Sequence, residues 1–358
     1  MLTQDSRDYP QRDGSDRIRV RHVTRADDDH WDAFVECHDA GTPFHLHAWR
    51  KTIEECFGYR SEYLLAEVEG RIVGVLPLFL VKNILVKKAL ISSPFAVYGG
   101  ILAESQIAAE MLHKEARHMG ERLNVDYIEF RNAVPEQCVG EPNVDRYVTF
   151  LQEIGQSEEA ILEAIPRKTR YMVRKSLKNG ISGKSTRSLV NFDALYSNSL
   201  HRLGTPCFPR EYFESLLKNF GNKVEVREYE LGGKPVSAVL TLYFRDRMLP
   251  YYGGSDPEMN ALAPNNFMYF DLLRWGAEKG LRIYDFGRSK RESGSYEFKA
   301  HWGMKEETLP YQVVLVRGKK LPNISPANPR FQLPIRIWKK LPLPLTRALG
   351  PILVRLVP

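Results

Sequence analysis

The chain has 358 residues, of which 43% are apolar and 27% are charged. This composition excludes disorder for most of the chain and predicts a globular protein of about two domains. No stretch approaches the roughly 20 apolar residues that span a bilayer, and the N-terminus lacks the pattern of a signal peptide. Four scattered cysteines without a C-x-x-C pair indicate neither a disulfide framework nor a zinc site. We therefore expect a cytoplasmic protein without a metal centre.

The net charge of +7 is concentrated at the end of the chain. From residue 308 onward there are nine basic residues and no acidic residue, whereas the preceding part is close to neutral. Residues 1–17 are predicted to be flexible, and residues 318–358 form a basic, apolar tail whose prolines exclude one long helix. Two interpretations of the tail stay open. It packs on the body as a strap, or it contacts an anionic membrane surface or a phosphate-rich partner.

Hydrophobic periodicity predicts the remaining elements in chain order. The first group is a hairpin, a helix and a strand, at 63–81, 104–123 and 126–131. In the middle of the chain the same periodicity predicts three helices, at 165–180, 190–203 and 210–220. The last group is again a hairpin, a helix and a strand, at 224–244, 265–279 and 282–288, with a third β-strand ending at Tyr252 before the helix.

The order hairpin, Tyr-Gly-Gly, helix and strand therefore occurs twice. Tyr98 matches Tyr252, and Glu129 matches Asp285, at offsets of 154 and 156 residues. A repeat of this length indicates a duplicated domain. We predict an α/β protein with mixed sheets, in which the strand after each helix runs parallel to the strand before it.

Three segments of the second half, "RKTRYMVRKSLKNGI", "YYGGSDPEMNALAPNNFMYFDLLRWGAEKG" and "YDFGRSKRESGSYEFKAHWG", resemble the FemAB-like transferases. That family has two tandem GNAT-like folds of the acyl-CoA N-acyltransferase type. "FHLHAWR", "GVLPLFLV" and the tail resemble the FemAB-related branch associated with exosortase and PEP-CTERM systems. The resemblance implies GNAT-like domains at 18–160 and 161–317, the second with a basic helical insert at 165–180.

The resemblance also implies a function. It is the transfer of an acyl or aminoacyl group to an amine of a cell-envelope or exopolysaccharide precursor, linked to a lipid or a nucleotide. The donor is either aminoacyl-tRNA or an acyl thioester, with no tightly bound cofactor. Neither copy has the Arg/Gln-x-x-Gly-x-Gly/Ala loop that holds the pyrophosphate of acyl-CoA, which favours charged tRNA. The alternative is a non-catalytic scaffold of the same fold at the inner membrane face.

Acyl transfer to an amine needs a cation or N–H donor beside the developing oxyanion. Lys299 matches the Phe-Lys of the family's C-terminal motif and is our candidate for that donor. Asp285, at the predicted end of a strand, and Glu297 are candidate bases. Asp285 has an alternative structural role, which is to hold Arg288 in a charge-assisted hydrogen bond.

Candidate substrate-binding residues fall into three groups. Arg288 and Lys290 are cations suited to a phosphate. Spacings of three, four and four residues place Arg167, Arg170, Arg174 and Lys178 along one face of the basic helix, with Lys168 beside it. An anionic partner or an acidic neighbour within the fold is therefore expected there. The remaining candidates are residues near predicted strand and helix ends: Tyr252, Gly253, Gly254, Asn265 and Trp302. Helix capping by Asn265 and simple packing by Trp302 are the structural alternatives.

Overall fold

The computed structural model describes residues 17–144, 147–291, 293–320 and 328–358. Residues 1–16, most of the predicted flexible N-terminus, lie outside this part of the chain.

The first half of the chain begins with a strand and two helices, which precede the predicted hairpin. The elements are β1 (Arg19–His22), α1 (Asp28–Cys37), α2 (His47–Phe57), β2 (Arg60–Ser61), β3 (Leu64–Val68), β4 (Arg71–Leu76), β5 (Leu78–Asn83), β6 (Lys87–Ser92), β7 (Leu102–Ala103), α3 (Gln106–Arg122) and β8 (Tyr127–Phe130). The β3–β4 hairpin turns at Glu69 and Gly70, whose φ angles of 50° and 82° are those of a tight hairpin turn. Pro77 separates β4 from β5, and these two strands belong to different sheets.

The second half repeats this order after two additional helices. The elements are β9 (Tyr147–Glu153), α4 (Glu158–Ala164), α5 (Arg167–Leu177), β10 (Ser182–Thr186), α6 (Val190–Leu203), α7 (Arg210–Phe220), β11 (Val224–Leu231), β12 (Lys234–Phe244), β13 (Arg247–Ser255), α8 (Pro264–Glu278), β14 (Ile283–Asp285), β15 (Ser289–Lys290), α9 (Gly294–Ala300), β16 (Lys305–Thr308) and β17 (Gln312–Leu315). The tail adds α10 (Pro329–Trp338) and α11 (Leu343–Leu353).

The predicted duplication and the predicted crossovers are confirmed. In each copy a strand and two helices lead into a hairpin, and a long helix then crosses to a parallel strand. β8 runs parallel to β6 with Tyr127 opposite Ala89, and β14 runs parallel to β13 with Ile283 opposite Arg247. The fold is therefore mixed α/β, with antiparallel hairpins and one parallel pair in each copy.

The two copies exchange strands. β9 lies in the eight-stranded sheet of the second copy, where it pairs antiparallel with β14, β15 and β16. β17 returns to the first copy and pairs antiparallel with β8, so that Gln312 faces Phe130. Both strands thus pair across the predicted boundary at residue 160, and each copy needs a strand from the other side of that boundary.

An aromatic core also joins the copies. Trp49 on α2 is fully buried, and its ring lies 6.4 Å from the rings of Tyr212 and Phe220 on α7. Rings at this separation and near-perpendicular orientation add stabilisation beyond the area that they bury. The helices α2 and α7, which occupy equivalent positions in the two copies, therefore face each other in one hydrophobic core.

The tail packs on the body with one of its sides. On α11, Gly350 lies so close to Cys207 that an added Cβ would be 2.8 Å from its Sγ, and Arg347 pairs with Asp193 of α6. The end of the tail reaches the buried guanidinium of Arg131, which donates to the carbonyl oxygen of Pro358 at 2.9 Å. In the described ranges no helix is long and apolar enough to cross a bilayer.

Candidate functional site

Asp285 ends β14, as predicted, and lies where the two copies meet. Its carboxylate is 1% exposed. It accepts hydrogen bonds from the hydroxyl of Tyr98 in the first copy (2.7 Å), from Thr149 Oγ1 on β9 (2.9 Å) and from the backbone N–H of Gly287 (2.7 Å). Burial raises the pKa of Asp285, although these three hydrogen bonds oppose the rise. None of these bonds comes from Arg288, so the alternative role predicted for Asp285 is not the one observed.

Lys299 lies on α9, a helix that the Gly-rich sequence did not indicate. Ser293 caps this helix by accepting a hydrogen bond from the N–H of Tyr296. The Lys299 ammonium donates to the carbonyl oxygens of Phe286 (2.5 Å), Gly287 (2.9 Å) and Arg288 (3.3 Å).

An ammonium has three protons, so these three carbonyls engage all of them. Burial lowers the pKa of Lys299 to about 8. Lys299 therefore holds the loop of residues 286–288, directly after Asp285. Its predicted contact with an oxyanion stays a prediction, and it requires that at least one of these hydrogen bonds be exchanged.

Arg288 lies between aromatic side chains of β9 and of the segment before β17. Its guanidinium is 4.9 Å from the ring centre of Tyr147, and its Nη1 is 3.5 Å from the hydroxyl oxygen of Tyr311. No carboxylate partner of Arg288 occurs in the part of the chain that the structure describes. Asp285, Lys299 and Arg288 together leave one uncompensated positive charge at the junction of the copies. A partly buried cation without a counter-ion favours an anionic ligand.

Tyr251 also belongs to this junction, and sequence reasoning missed it. Its hydroxyl donates to the carbonyl oxygen of Phe95 at 3.0 Å. The register of β12 and β13 shifts here, because Leu240 faces Tyr252 and Thr241 faces Pro250. Tyr251 is thus the extra residue of a β-bulge, a device that redirects side chains beside functional sites. Only the Tyr-Tyr pair itself was visible in the sequence.

Three candidates have packing roles. Tyr252 lies in an aromatic core, with its hydroxyl 2.9 Å from that of Tyr212. Gly254 allows the close approach of α6, since an added Cβ would lie 2.4 Å from the carbonyl oxygen of Leu195. Trp302 is fully buried against Tyr269, Phe286 and Phe298, so its ring is not accessible to a substrate.

Four other candidates lie at or near the surface. Asn265 is in the first turn of α8, but the helix is capped by Ala263 without a side-chain bond, so the predicted capping by Asn265 is wrong. Gly253 and Glu297 are exposed, and Lys290 is half-buried on β15. None of these four residues donates or accepts a side-chain hydrogen bond with Asp285 or Lys299 among the contacts of the described residues.

The basic helix α5 is docked beside α9. Thr169 Oγ1 donates to the carbonyl oxygen of His301 at 2.6 Å. Arg170 is not available to a ligand, because it donates to the carbonyl oxygens of Ile165 and Glu163 at the end of α4. Lys168 and Arg174 are exposed, and no acidic side chain pairs with them among the described residues. An acidic neighbour therefore does not account for the cations of α5.

Comparison with known proteins supports an acyltransferase. Residues 167–300 match the model of the acetyltransferase (GNAT) domain family. A lipid II:glycine glycyltransferase of Staphylococcus haemolyticus is 20% identical over 370 residues, an alignment that covers 76% of this chain and 87% of that protein.

Solved structures share the whole architecture. The crystal structure of FemX superposes with a TM-score of 0.67 at 16% identity, covering 88% of this chain and 99% of that one. A tandem GNAT protein from the clavulanic acid biosynthesis pathway gives a TM-score of 0.52 at 11% identity, covering 85% of this chain and 100% of that one. The chain is therefore an acyltransferase with two tandem GNAT folds, similar in sequence to a lipid II:glycine glycyltransferase and in fold to FemX.

Proposed function

We propose that this enzyme transfers an aminoacyl group to an amine of a cell-envelope or exopolysaccharide precursor, in an exosortase and PEP-CTERM setting. The observation that carries the proposal is the uncompensated charge of Arg288 and Lys299 around the buried Asp285. An acceptor linked to a lipid or nucleotide through phosphates would supply the missing anion. An acceptor linked to a lipid is supported by the similarity to a lipid II:glycine glycyltransferase.

The favoured donor is aminoacyl-tRNA, with an acyl thioester as the alternative. The amine lone pair of the acceptor attacks the ester carbonyl carbon, a C–N bond forms, and the ester C–O bond to the ribose breaks. The proton lost by the amine leaves with the ribose hydroxyl, so no external reactant is needed. Support for a nucleic-acid donor comes from α5, where Lys168 and Arg174 have no acidic partner among the described residues and lie beside Tyr171, which is 68% exposed.

The setting of the reaction belongs to the same proposal. The enzyme would work in the cytoplasm at the inner face of the membrane, where a lipid-linked acceptor is presented. The basic tail supports contact with that membrane, since it combines cations with apolar side chains.

The test is a transfer assay with labelled aminoacyl-tRNA and amine acceptors that carry or lack a diphosphate. Arg288→Ala is expected to lower kcat/KM by about 10²-fold or more with the diphosphate acceptor, because a charge-assisted contact is lost. Arg282→Ala is the matched control, since this arginine directly precedes β14, at the end away from Asp285, and its guanidinium is 3.8 Å from the carboxylate of Asp246. Equal activity of the two variants would contradict the assignment of Arg288 to the acceptor phosphates.

A further inference from the structure

Helix α11 carries apolar side chains on a solvent-exposed side as well as on the side that packs against the body. Its inner side, with Thr346 and Gly350, is buried against the body. Leu345, Leu349 and Ile352 follow at spacings of four and three residues on the outer side, where they are 43%, 36% and 64% exposed. A surface helix of a globular protein normally turns a polar side to water. The outer stripe of α11 therefore indicates a partner that is absent from the isolated chain.

The tip of the β5–β6 hairpin presents a second exposed apolar group. Ile84 at this tip is 83% exposed, the largest value among the exposed large hydrophobic side chains that the structure describes. Lys82 and Lys87 lie on either side of it and are also exposed. The tip is joined to the tail, because Asn83 Nδ2 donates to the carbonyl oxygen of Arg355 at 3.0 Å. Ile352 precedes Arg355 by less than one helical turn, so the hairpin tip contacts the tail close to the exposed side of α11.

The positive charge of the tail favours an anionic partner for the exposed apolar side chains. No acidic residue occurs after residue 307, and the segment 329–340, which comprises α10 and the two residues after it, combines exposed Leu333 and Ile337 with four exposed cations. These cations have no ion pair among the described residues: Arg330, Arg336, Lys339 and Lys340. A second copy of the chain would bring the same positive charges face to face, which is unfavourable. An anionic bilayer surface instead accepts the apolar groups and the cations at the same time.

We propose that the hairpin tip (residues 82–88) and the outer side of α11 form one docking face for the surface of an anionic lipid bilayer. Ile84 and Ile352 enter the boundary between headgroups and acyl chains, and Lys82, Lys87 and the tail cations lie at the phosphates. This inference deepens the proposed function, on which it rests for a lipid-linked acceptor. It also adds the hairpin, which the sequence of the tail alone did not implicate.

The experiment is sedimentation of the full chain with vesicles of phosphatidylcholine alone or mixed with phosphatidylglycerol. We expect binding to the mixed vesicles only, and weaker binding at high salt. Ile84→Ser and the double variant Leu349→Ser/Ile352→Ser should each weaken binding by about tenfold or more. The matched control is Tyr171→Ser, which removes a comparably exposed side chain from α5 and should bind like the wild type.

Wild-type binding by Ile84→Ser would overturn the role of the hairpin, and equal loss in Tyr171→Ser would overturn the location of the face. Light scattering without lipid provides a further check. A dimer that dissociates on Leu349→Ser/Ile352→Ser would show that the face binds a second copy instead of lipid.

The docking face and the proposed function fail in different ways. If only the docking face is wrong, the wild type does not bind vesicles, and the Ile84→Ser and Leu349→Ser/Ile352→Ser variants still transfer the aminoacyl group to a water-soluble acceptor. If only the function is wrong, vesicle binding follows the prediction while no acceptor is modified. Circular dichroism of each variant verifies that it is folded.

Discussion

Replacing Lys299 with Met tests whether the buried ammonium controls both the stability of the fold and its activity. Methionine has nearly the same length but cannot donate to the carbonyl oxygens of the 286–288 loop. We expect a loss of about 2–4 kcal/mol in the free energy of unfolding, because hydrogen bonds from a charged group contribute more than neutral ones and are not additive.

The pH dependence of this loss has a definite sign. Burial lowers the pKa of Lys299 to about 8, against 10.5 for an ordinary lysine. Between these values the unfolded chain binds a proton that the folded chain has released, so the contribution of Lys299 to stability rises with pH. The full difference would be at most about 3 kcal/mol, and partial contact with water reduces the expected gain to about 1 kcal/mol.

The assay is urea denaturation of wild type and Lys299→Met from about pH 7 to about pH 10. The wild type should gain stability relative to the variant above about pH 8. Parallel pH curves would refute the lowered pKa. Transfer activity gives an independent measurement, because an ammonium that stabilises an oxyanion is lost above about pH 8, whereas Lys299→Arg keeps its charge and should show no such decline.

Two further predictions concern the junction of the copies and its packing. Tyr98→Phe removes one hydrogen-bond donor to the buried carboxylate of Asp285. It should lower the free energy of unfolding, measured by urea denaturation, by about 1.5–3 kcal/mol. An unchanged denaturation midpoint would contradict the observed hydrogen bond. Gly254→Ala should cost about 1–3 kcal/mol, because an added Cβ would lie 2.4 Å from the carbonyl oxygen of Leu195. Gly253→Ala should cost less in the same measurement, because its nearest neighbour atom would be 3.3 Å away.

Local patterns predicted the hairpins and the long helices, but not α1, α2, β9 or α9. The helices at 190–203 and 210–220 have the predicted bounds, because each carries a clear apolar stripe and ends before a glycine. The repeat extends further than the sequence suggested, since α6 and α7 are the counterparts of α1 and α2. Their sequences have diverged, and only the order of elements preserves the relation.

The exchange of β9 and β17 could not be predicted, because a strand's own alternation does not identify its partner in another part of the chain. The site shows the same limit. Asp285 and Lys299 were identified, but their partners come from non-local contacts with Tyr98 and Thr149 and from a seven-residue helix. Arg170 was assigned to a ligand because its spacing matched its neighbours, although its side chain caps the preceding helix.

The buried guanidinium of Arg131 connects the end of the tail to the segment before the junction. The same guanidinium that donates to Pro358 also donates to the carbonyl oxygens of Ser93 and Ala96, in the segment that leads to Tyr98. If displacement of the tail changes the affinity of the junction for a ligand, that ligand changes the affinity of the tail for its own partner by the same factor. Removal of the whole tail would leave the buried guanidinium of Arg131 without one of its hydrogen-bond acceptors. Point substitutions on the outer side of α11 avoid this loss and therefore test the tail more specifically.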